Sequence, residues 1–593
     1  MSIKPLSTLS GLAVLGVIAG TPPAQAGSAS GIILEPLGSY REQTAEPGVC
    51  RRNISEIGAY EPLTRRLFVS NYADNAVDIF DIRHPRALIR IGRIKLSELP
   101  GLADPNLTPT SVAVRFPLVA VAAEAIEPLT SPGRLLILGL DGRLLRSFAI
   151  GSGPDMVTFS PDGRRILVAV EGEPDKSPPG PGKIDPEGSV AILDLAHGLA
   201  RAELRVADFR GFDASRLVRE GVRIGADLTD TEPNPLKKRL NTASRDLEPE
   251  FIAVSRDSRT AYATLQENDA VAVIDIDEAR ARRILALGLK DHGQPDAGFD
   301  ASRRDGDPPA SYPTPAPSGI NIKPWPVFGA YQPDGIASYD HHRRTFFVTA
   351  NEGDARNGDF DIAQLADLVA GKDSNKVQFT PIPLAAADFP NAAALLDKAQ
   401  LGELEISDLP QDLDPNHVGD GSAHRLVSLG GRSFSVWDAW GHRLYDSGDQ
   451  FEQITAHETP SLFNTQDDDN QFDRRSPKRG PEPEGVTVGN AFGRTYAFVV
   501  LERHSGIMVY DVTDPHAVAF DGYFNARLFA ADPNQGPAGD LPNDAINCAA
   551  GDLGPEGVLF IPAWLSPNFR PLLVVNYETS GSTRVWQVDR RHG

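Results

Sequence analysis

The sequence predicts an all-β protein, a seven-bladed β-propeller that is closed by an N-terminal strand and carries a partly helical insertion in its fifth blade. Two observations predict this fold. Short runs of alternating β-branched, aromatic and small residues are separated by Asp-Gly and similar turns, which is typical of strands. These runs recur in one order at spacings of roughly forty residues or more, as four-stranded propeller blades do.

Each unit begins with an acid or a Pro-acid pair and continues with two apolar strands, the second ending in Asn, Glu or Gln. A third strand then closes on Asp. The segments Leu67 to Asn71 and Val77 to Asp81 show this order, and Ala261 to Glu267 with Val271 to Asp275 repeat it. The predicted units cover residues 57–98, 109–151, 153–211, 247–293, 332–455, 480–525 and 552–588.

The fifth unit is split by additional chain. Its first two strands end near Asn351, and its outer strands are predicted at Arg432 to Asp438 and His442 to Asp446. Between them, residues of about 357–425 form an insertion in which part of the apolar pattern has a helical period. Helices are predicted at Ile362 to Ala370 and Ala392 to Ala399.

The seventh unit stops after three strands, at Val588. A missing outer strand leaves an exposed sheet edge, which proteins usually cover. The stretch Ile32 to Tyr40 resembles the fourth strand of the other units and is predicted to fill this place. Residues 27–593 are therefore expected to form a single propeller domain.

The first 26 residues have the order of a secretory signal peptide. Lys4 gives a short basic start, an apolar run follows from Leu9 to Ala19, and Ala24-Gln25-Ala26 matches the small-x-small cleavage pattern. The run is too short to span a bilayer, and no second run reaches about 18 apolar residues. We therefore expect cleavage after Ala26 and a periplasmic or secreted chain without a membrane span.

The charge of the chain excludes some partners. It has 593 residues with 80 Asp and Glu against 58 Lys and Arg, a formal net charge of -22. Such a surface repels phosphate backbones and anionic lipids, so we expect no nucleic-acid partner. It attracts cations instead, and a monomer is expected.

Cys50 and Cys548 are the only cysteines and lie near opposite ends of the chain. Export to an oxidising compartment would allow a disulfide between them, and a closed ring would bring both next to the last blade. The alternative is two unpaired thiols.

Acidic residues occupy the same two places in most units. The start of the first strand and the end of the antiparallel second strand lie on the same face of a blade, so these acids should gather at one mouth of the central channel. The predicted metal ligands are Glu56, Asp155, Glu250, Asp334, Glu484 and Glu556 at strand starts, and Glu171, Glu267, Glu352, Asp354 and Glu502 at or after second-strand ends.

Carboxylates crowded around one axis repel each other unless they are protonated, hydrogen-bonded or neutralised by cations. An oxygen-only ligand set suits Ca²⁺, or another hard divalent cation, and the chain has no clustered Cys or His for a softer metal. Calcium is predicted as the cofactor because it tolerates irregular coordination. The alternative is that each acid only caps a turn.

Basic residues are also predicted near this face. Lys290, Arg356 and Arg503 are the candidate catalytic residues, since a metal with Arg and Lys would hold a phosphate group and stabilise charge in phosphoryl transfer. Alternatively, Arg356 and Arg503 pair with neighbouring acids. The acidic run 467–473 does not have the spacing of an EF-hand loop and is interpreted as a linker.

Several long motifs together carry a resemblance to a known family. The motifs are Gly-Pro-Asp-Met-Val at 153–157, Leu-Glu-Pro-Glu-Phe-Ile-Ala-Val at 247–254, Leu-Gln-Glu-Asn-Asp-Ala at 265–270, Trp-Pro-Val-Phe-Gly at 325–329, Thr-Ala-Asn-Glu-Gly-Asp-Ala-Arg at 349–356, Gly-Gly-Arg-Ser-Phe-Ser-Val-Trp at 430–437 and Gly-Pro-Glu-Pro-Glu-Gly-Val at 480–486. They resemble the choice-of-anchor I domain family of exported bacterial β-propellers, which is similar to mesenchyme-specific cell surface glycoproteins. Some relatives are described as atypical alkaline phosphatases, and the Pro-Glu-Gly strand starts also resemble phytase-like propellers that use calcium.

The resemblance and the acids together predict an exported metal-dependent phosphoesterase, of alkaline-phosphatase or phytase-like type, that acts on a phosphate ester or another small anionic substrate. The alternative is a non-catalytic, calcium-stabilised extracellular binding or adhesion propeller. A sugar or lactone hydrolase on the same scaffold is a third possibility, since fold does not fix function. The sequence contains no Gly-x-Ser-x-Gly elbow, Walker-A loop or His-Glu-x-x-His motif that would support other hydrolase classes.

Overall fold

The computed structural model describes residues 31–102, 106–126, 128–306, 319–356, 359–373, 375, 377–537 and 539–591. The predicted signal peptide at 1–26 lies outside them. Strands dominate the described residues, and seven sheets have four antiparallel strands each, so the predicted all-β class is confirmed. We number these sheets by the chain order of their first strands.

The first four sheets are each built from consecutive strands. Sheet 1 contains Gly58–Glu61, Arg66–Asn71, Ala76–Asp81 and Ile89–Lys95. Sheet 2 contains Leu107–Arg115, Leu118–Ala125, Pro132–Gly139 and Leu144–Ser152. Sheet 3 contains Pro154–Phe159, Arg165–Val170, Ser189–Asp194 and Glu203–Asp208. Sheet 4 contains Pro249–Val254, Thr260–Leu265, Ala270–Asp275 and Arg280–Ala286.

The last three sheets include the split unit and the strand from the N-terminal region. Sheet 5 contains Ile336–His341, Arg344–Asn351, Ser433–Asp438 and Arg443–Asp446, so its outer pair lies where the sequence predicted it. Sheet 6 contains Pro483–Ala491, Arg494–Leu501, Gly506–Asp511 and Ala519–Asn525. Sheet 7 contains Pro555–Ile561, Leu572–Tyr577, Ser582–Arg590 and the early strand Ile32–Arg41.

The first strands of successive sheets contact each other in chain order, and the first strand of sheet 7 contacts that of sheet 1. Buried apolar side chains fill the space between neighbouring sheets. Val69 and Val574 pack together between sheets 1 and 7, and Val271 packs with Phe347 and Trp437 between sheets 4 and 5. Burial of this apolar surface is the main force that holds the sheets face to face.

The two ends of the described chain meet at sheet 7. Strand Ile32–Arg41 pairs antiparallel with Ser582–Arg590, from Ile32 opposite Arg590 to Arg41 opposite Ser582. Beside it, the short strands Val49–Arg51 and Ala545–Asn547 pair. Cys50 and Cys548 form a disulfide there with Cα atoms 5.2 Å apart, which confirms the predicted pairing.

The insertion in the fifth unit does not stand alone. Its strands Ile362–Gln364 and Glu405–Ser407 join Val427–Ser428 in a five-stranded sheet with Leu289–Asp291 and Phe328–Ala330, which come from the connection between sheets 4 and 5. The sequence did not predict this sheet. The predicted helix at Ile362 begins only at Leu365, because the first three residues are a strand, and the helix predicted to reach Ala399 ends at Leu395.

The helices are short. The α-helices of the described residues are Ala214–Arg219, Ala243–Asp246, Leu365–Ala370, Ala392–Leu395, Pro410–Leu413 and Gln450–Glu458. The 3-10 turns are Leu96–Glu98, Leu199–Arg201, Pro235–Lys237, Pro460–Leu462 and Cys548–Ala550, and a small hairpin pairs Gln535–Gly536 with Gly539–Asp540. None of these described helices has the length and apolar character needed to cross a bilayer.

Candidate metal centre

A shared irregularity places the strand-start acids. In four sheets, the Pro of a Pro-acid pair lies opposite a residue of the second strand. The next residue of the first strand that has such a partner comes three positions later, whereas the second strand advances by only two. The two pairs that flank the irregularity start at Pro154 and Val157, Pro249 and Ile252, Pro483 and Val486, and Pro555 and Val558. Such a β-bulge bends the strand and re-aims the side chains of its unpaired residues. Asp155, Glu250, Glu484 and Glu556 therefore all lie in a bulge at the same end of their sheets.

Glycines that follow three of the acids allow neighbouring strand starts to approach closely. A Cβ atom added at Gly485 would lie 2.4 Å from the carbonyl oxygen of Glu556, and one at Gly557 would lie 2.4 Å from that of Glu56. The N–H of Gly557 donates a hydrogen bond to this oxygen of Glu56 at 3.1 Å. A larger residue has no room at either position, so the acid-Gly pairs bring the acids of adjacent sheets together.

These acids line one cavity of about 380 Å³, which we call the basin. Its carboxylates are Glu56, Asp155, Glu171, Glu250, Asp334, Glu352, Asp354, Glu484, Glu502, Glu556 and Glu578. Ten of the eleven predicted metal ligands are among these lining residues, and Glu267 is the exception. Thr110 occupies the place of the missing acid in sheet 2.

Burial and mutual repulsion act together on the basin acids. Burial, followed by the charges of neighbouring carboxylates, raises the pKa of Glu56, Glu484 and Glu556 well above its ordinary range. The pKa of Asp155 and of Glu250 is raised for the same reasons. The basin is therefore unfavourable as a set of isolated anions and favours either protons or cations.

Three groups of carboxylates at or behind the basin each offer oxygens that lie within 4.8 Å of one another. They are Asp334 with Glu352 and Glu484, Glu352 with Glu482 and Glu502, and Glu171 with Glu248 and Glu267. Oxygen ligands lie about 2.3–2.6 Å from Ca²⁺, so ligands on opposite sides of one ion are about 5 Å apart, and these spacings fit. A fourth such group, Asp300, Asp305 and Asp473, does not line the basin.

The donor set also contains unsatisfied oxygens. Oε2 of Glu250 and Oε2 of Glu484 are buried and have no hydrogen-bond partner among the described residues. An unpaired buried carboxylate oxygen is costly, and a bound cation would satisfy it. The residues present therefore fit a hard divalent cation.

Among the described residues that line the basin, Arg503 is the one that carries a guanidinium group. Its Nε donates to Oε2 of Glu482 at 2.7 Å, and its Nη1 contacts Oδ1 of Asp467 at 2.9 Å and Oε1 of Glu502 at 2.6 Å. Burial alone would lower the pKa of Arg503, but these carboxylates raise it well above its ordinary value. Arg503 is thus a fixed positive charge on the basin wall.

The other two candidate catalytic residues lie elsewhere. Lys290 is buried, donates to the carbonyl oxygens of Gly431 and Gly448, and forms an ion pair with Asp446 at 3.1 Å. It is not among the described residues that line the basin. These contacts hold loops together and give Lys290 no access to a substrate there.

Arg356 lies in a separate small cavity of about 30 Å³. Its Nε and Nη2 donate to Asp246 at 3.0 and 2.8 Å, and its Nη1 donates to Asp361 at 3.1 Å. Of the two interpretations of Arg356 from sequence, pairing with neighbouring acids matches these contacts.

Three of the four aspartates in the acidic run 467–473 contact arginines, and the fourth, Asp473, belongs to the group with Asp300 and Asp305. Besides the contact of Asp467 with Arg503, Asp468 lies 3.4 Å from Arg52, and Asp469 pairs with Arg474. These pairs agree with the linker interpretation, since a calcium loop would direct its carboxylates at one point.

Three acids of the site were not predicted as ligands. Glu248 and Glu482 both precede a strand-start acid by two residues in Glu-Pro-Glu, at 248–250 and 482–484. This repeated spacing was the available signal for a second layer of acids behind the basin. Glu578 follows the second strand of sheet 7 and was visible only as one more acid after a strand end.

A family profile and two relatives match this chain. The profile of the choice-of-anchor I domain matches residues 56–515, which is more than half of the chain. Gigasin-3a of Magallana gigas is 29% identical over 197 residues, covering 32% of this chain and 65% of that protein. The mesenchyme-specific cell surface glycoprotein of Strongylocentrotus purpuratus is 27% identical over 367 residues, covering 55% of this chain and 42% of that protein.

The chain thus spans less than two thirds of the length of these relatives. Among solved structures, the chain is similar to the β-propeller domain of a Myceliophteria thermophila protein, with a TM-score of 0.38 and 8% identity. That similarity covers 93% of this chain and 100% of the other.

Proposed function

The chain belongs to the choice-of-anchor I domain family, and from this premise we propose that it is an exported, calcium-dependent phosphoesterase. Its seven four-stranded sheets would form the blades of a closed propeller, with the basin at one mouth of the central channel. The order of contacts between first strands and the pairing of Ile32–Arg41 with Ser582–Arg590 support this ring.

The carboxylate group Asp334, Glu352 and Glu484 is the observation on which the proposal depends. Their oxygens lie within 4.8 Å of one another, and Oε2 of Glu484 has no hydrogen-bond partner among the described residues. Gln266 donates from Nε2 to Oε2 of Glu352 at 2.7 Å, which fixes this carboxylate toward the group. Calcium suits such an irregular oxygen-only site better than Mg²⁺, which demands near-octahedral geometry.

Phosphate esters suit a basin that has bound divalent cations, because the negative charge of the phosphate group is attracted to the positive charge of the ions. A bound divalent cation polarises phosphoryl oxygens and lowers the pKa of bound water. Arg503 supplies a further positive charge on the wall, and its contacts with Glu482 and Asp467 hold the guanidinium in place. Without cations the basin carboxylates would repel any phosphate.

Export is supported by two independent features. The Cys50–Cys548 disulfide fits an oxidising compartment outside the cytoplasm. The family match points the same way, and one relative is named a cell surface glycoprotein. The signal-peptide prediction for residues 1–26 agrees with both.

The proposal is tested by hydrolysis of p-nitrophenyl phosphate by the purified chain with calcium, with a chelator, and with calcium restored. We expect activity only with calcium. Glu484→Gln should reduce kcat/KM by about 10–100-fold or more, since even loss of an outer-shell partner of a metal commonly costs that much. Glu278→Gln, which changes an exposed acid in the turn between the third and fourth strands of sheet 4, is the matched control and should retain activity. Turnover that persists in the chelator or in Glu484→Gln would refute the proposal.

A second candidate function is a calcium-stabilised binding propeller without catalysis. The name of the sea-urchin relative, a cell surface glycoprotein, favours this alternative. It predicts that the chelator lowers the melting temperature while the calcium-replete chain cleaves no phosphate ester across a substrate panel.

A further inference from the structure

Behind the basin, three glutamates converge from two sheets. Glu171 follows the second strand of sheet 3, Glu248 precedes the first strand of sheet 4, and Glu267 follows its second strand. One carboxylate oxygen of each lies within 4.8 Å of those of the other two. Glu171 also lines the basin, whereas Glu248 and Glu267 are only 3% and 5% exposed.

The backbone holds these glutamates in place. A Cβ atom at Gly188 would lie 2.0 Å from the carbonyl oxygen of Leu247 and 2.8 Å from that of Glu171. The N–H of Gly188 donates to the carbonyl oxygen of Ser244 at 2.9 Å. The chain just before the third strand of sheet 3 is therefore wedged between the segments that carry Glu171 and Glu248, which holds these two segments close together.

Among the described residues no arginine forms an ion pair with these glutamates, although the charge of Arg356 opposes the rise in the pKa of Glu248 and Glu267. The nearby guanidinium of Arg356 is engaged by Asp246 and Asp361. Oε2 of Glu267 is buried and has no hydrogen-bond partner among the described residues, although the carboxylate points at the other two. Burial and the neighbouring acids raise the pKa of Glu248 well above its ordinary range, and burial raises that of Glu267 to about 8.

We propose that Glu171, Glu248 and Glu267 form a second Ca²⁺ site, separate from the Asp334–Glu352–Glu484 group, in which the ion ties sheet 3 to sheet 4. The ion would neutralise three carboxylates that the backbone forces together, and it would satisfy the unpaired oxygen of Glu267. Because Glu248 and Glu267 are nearly enclosed, this ion is structural, while the ion in the open basin faces the substrate. The inference rests on the cation affinity of the proposed function and does not require hydrolysis.

The experiment counts calcium ions bound per chain. The full chain and the variants Glu248→Gln, Glu484→Gln and the double variant are dialysed to equilibrium against calcium chloride in phosphate-free buffer at about pH 8. Bound calcium is then measured by atomic emission. We expect each single variant to bind one ion fewer than the parent and the double variant two fewer. Glu278→Gln should bind the full number.

Each outcome bears on one site. If Glu248→Gln binds as many ions as the parent with the same affinity, the second site is refuted. If only Glu484→Gln retains the parental number, the basin site of the proposed function fails while the second site stands. These two failures are therefore distinguishable.

A melting experiment separates ligand loss from misfolding. In the chelator, Glu248→Gln should melt at the same temperature as the parent or higher, since it removes one of three repelling carboxylates. Calcium should raise the melting temperature of the parent more than that of the variant. A variant that melts lower than the parent in the chelator would show that Glu248 stabilises the fold without an ion, and this would overturn the proposal.

Discussion

The two Glu-Pro-Glu segments, at 248–250 in sheet 4 and 482–484 in sheet 6, have the same sequence pattern and opposite electrostatics. Arg475 Nε and Arg503 Nε each donate to Glu482 at 2.7 Å. Burial would raise the pKa of Glu482, but Arg475, Arg503 and Arg479 hold it far below its ordinary value. The pKa of Glu248 is raised instead.

The difference comes from the chain outside the motif. Sheet 6 is preceded by a segment in which Arg475 forms an ion pair with Glu482 and Arg479 adds a positive charge near it. The arginine whose charge acts on Glu248 is Arg356, which is already engaged by two aspartates. The charge of Glu482 is therefore neutralised by arginines of the chain itself, whereas the charge of Glu248 must be neutralised by a cation or a proton from solvent.

The prediction with the largest expected effect concerns Glu482, the buried carboxylate that Arg475 and Arg503 share. Glu482→Gln leaves Arg475 and Arg503 without their shared buried carboxylate, so we expect the free energy of unfolding to fall by about 3–5 kcal/mol. Denaturant titration in the presence of a chelator measures this change. The matched Glu248→Gln variant should lose no stability there, and equal losses in both variants would contradict the comparison.

The second prediction concerns the pH dependence of stability, because an acid close to Glu248 is buried in the same way. Asp408 lines the same small cavity as Glu248, and burial raises its pKa from 3.8 to about 7. An acid with a raised folded-state pKa binds more protons in the native state, so stability falls as pH rises from about 4 to 7 and is constant above. Asp408→Asn should flatten this decline, by at most about 4 kcal/mol, at about 1.4 kcal/mol per pKa unit.

Thermal melts of the chelated chain between pH 4 and 8 measure that profile. Glu278→Gln serves as the control, since its exposed carboxylate should leave the slope unchanged. An Asp408→Asn profile that declines as steeply as the parental one would show that Asp408 does not titrate in this range.

The prediction with the smallest expected effect concerns Glu502, whose partner Arg503 also contacts two other carboxylates. Arg503 contacts Glu482, Asp467 and Glu502, so Glu502→Gln leaves it two partners. We expect a loss below about 1 kcal/mol in the chelator, as for a partly exposed ion pair. Denaturant titration beside Glu482→Gln provides the measurement. A loss as large as that of Glu482→Gln would mean that Arg503 has no spare partner.

Much of the architecture could be predicted because it is encoded locally. Alternating apolar residues and turn residues located the strands, and the recurrence of Pro-acid pairs indicated the shared position of the basin acids. Ten of the eleven predicted ligands line the basin, and a bulge at the same place in four sheets directs Asp155, Glu250, Glu484 and Glu556 there.

The parts that could not be predicted depend on contacts between distant segments. The sequence places Lys290 and Arg356 near strand ends, but only the folded chain shows that Asp446, Asp246 and Asp361 engage them. Likewise, nothing near Glu248 or Glu482 in sequence shows which of them an arginine will reach. The five-stranded sheet of the insertion escaped prediction because its strands have only two or three residues each.

The strand Ile32–Arg41 has a consequence for how the chain matures. Polypeptides are synthesised from the N-terminus, but this strand pairs with Ser582–Arg590, which is synthesised last. Cys50 likewise has no disulfide partner until Cys548 has been synthesised. Until the last segment arrives, an early strand stays unpaired, and unpaired strands promote aggregation. A molecule cut short during synthesis would therefore retain both an unpaired strand and an unpaired thiol, which are features of aggregation-prone folding intermediates.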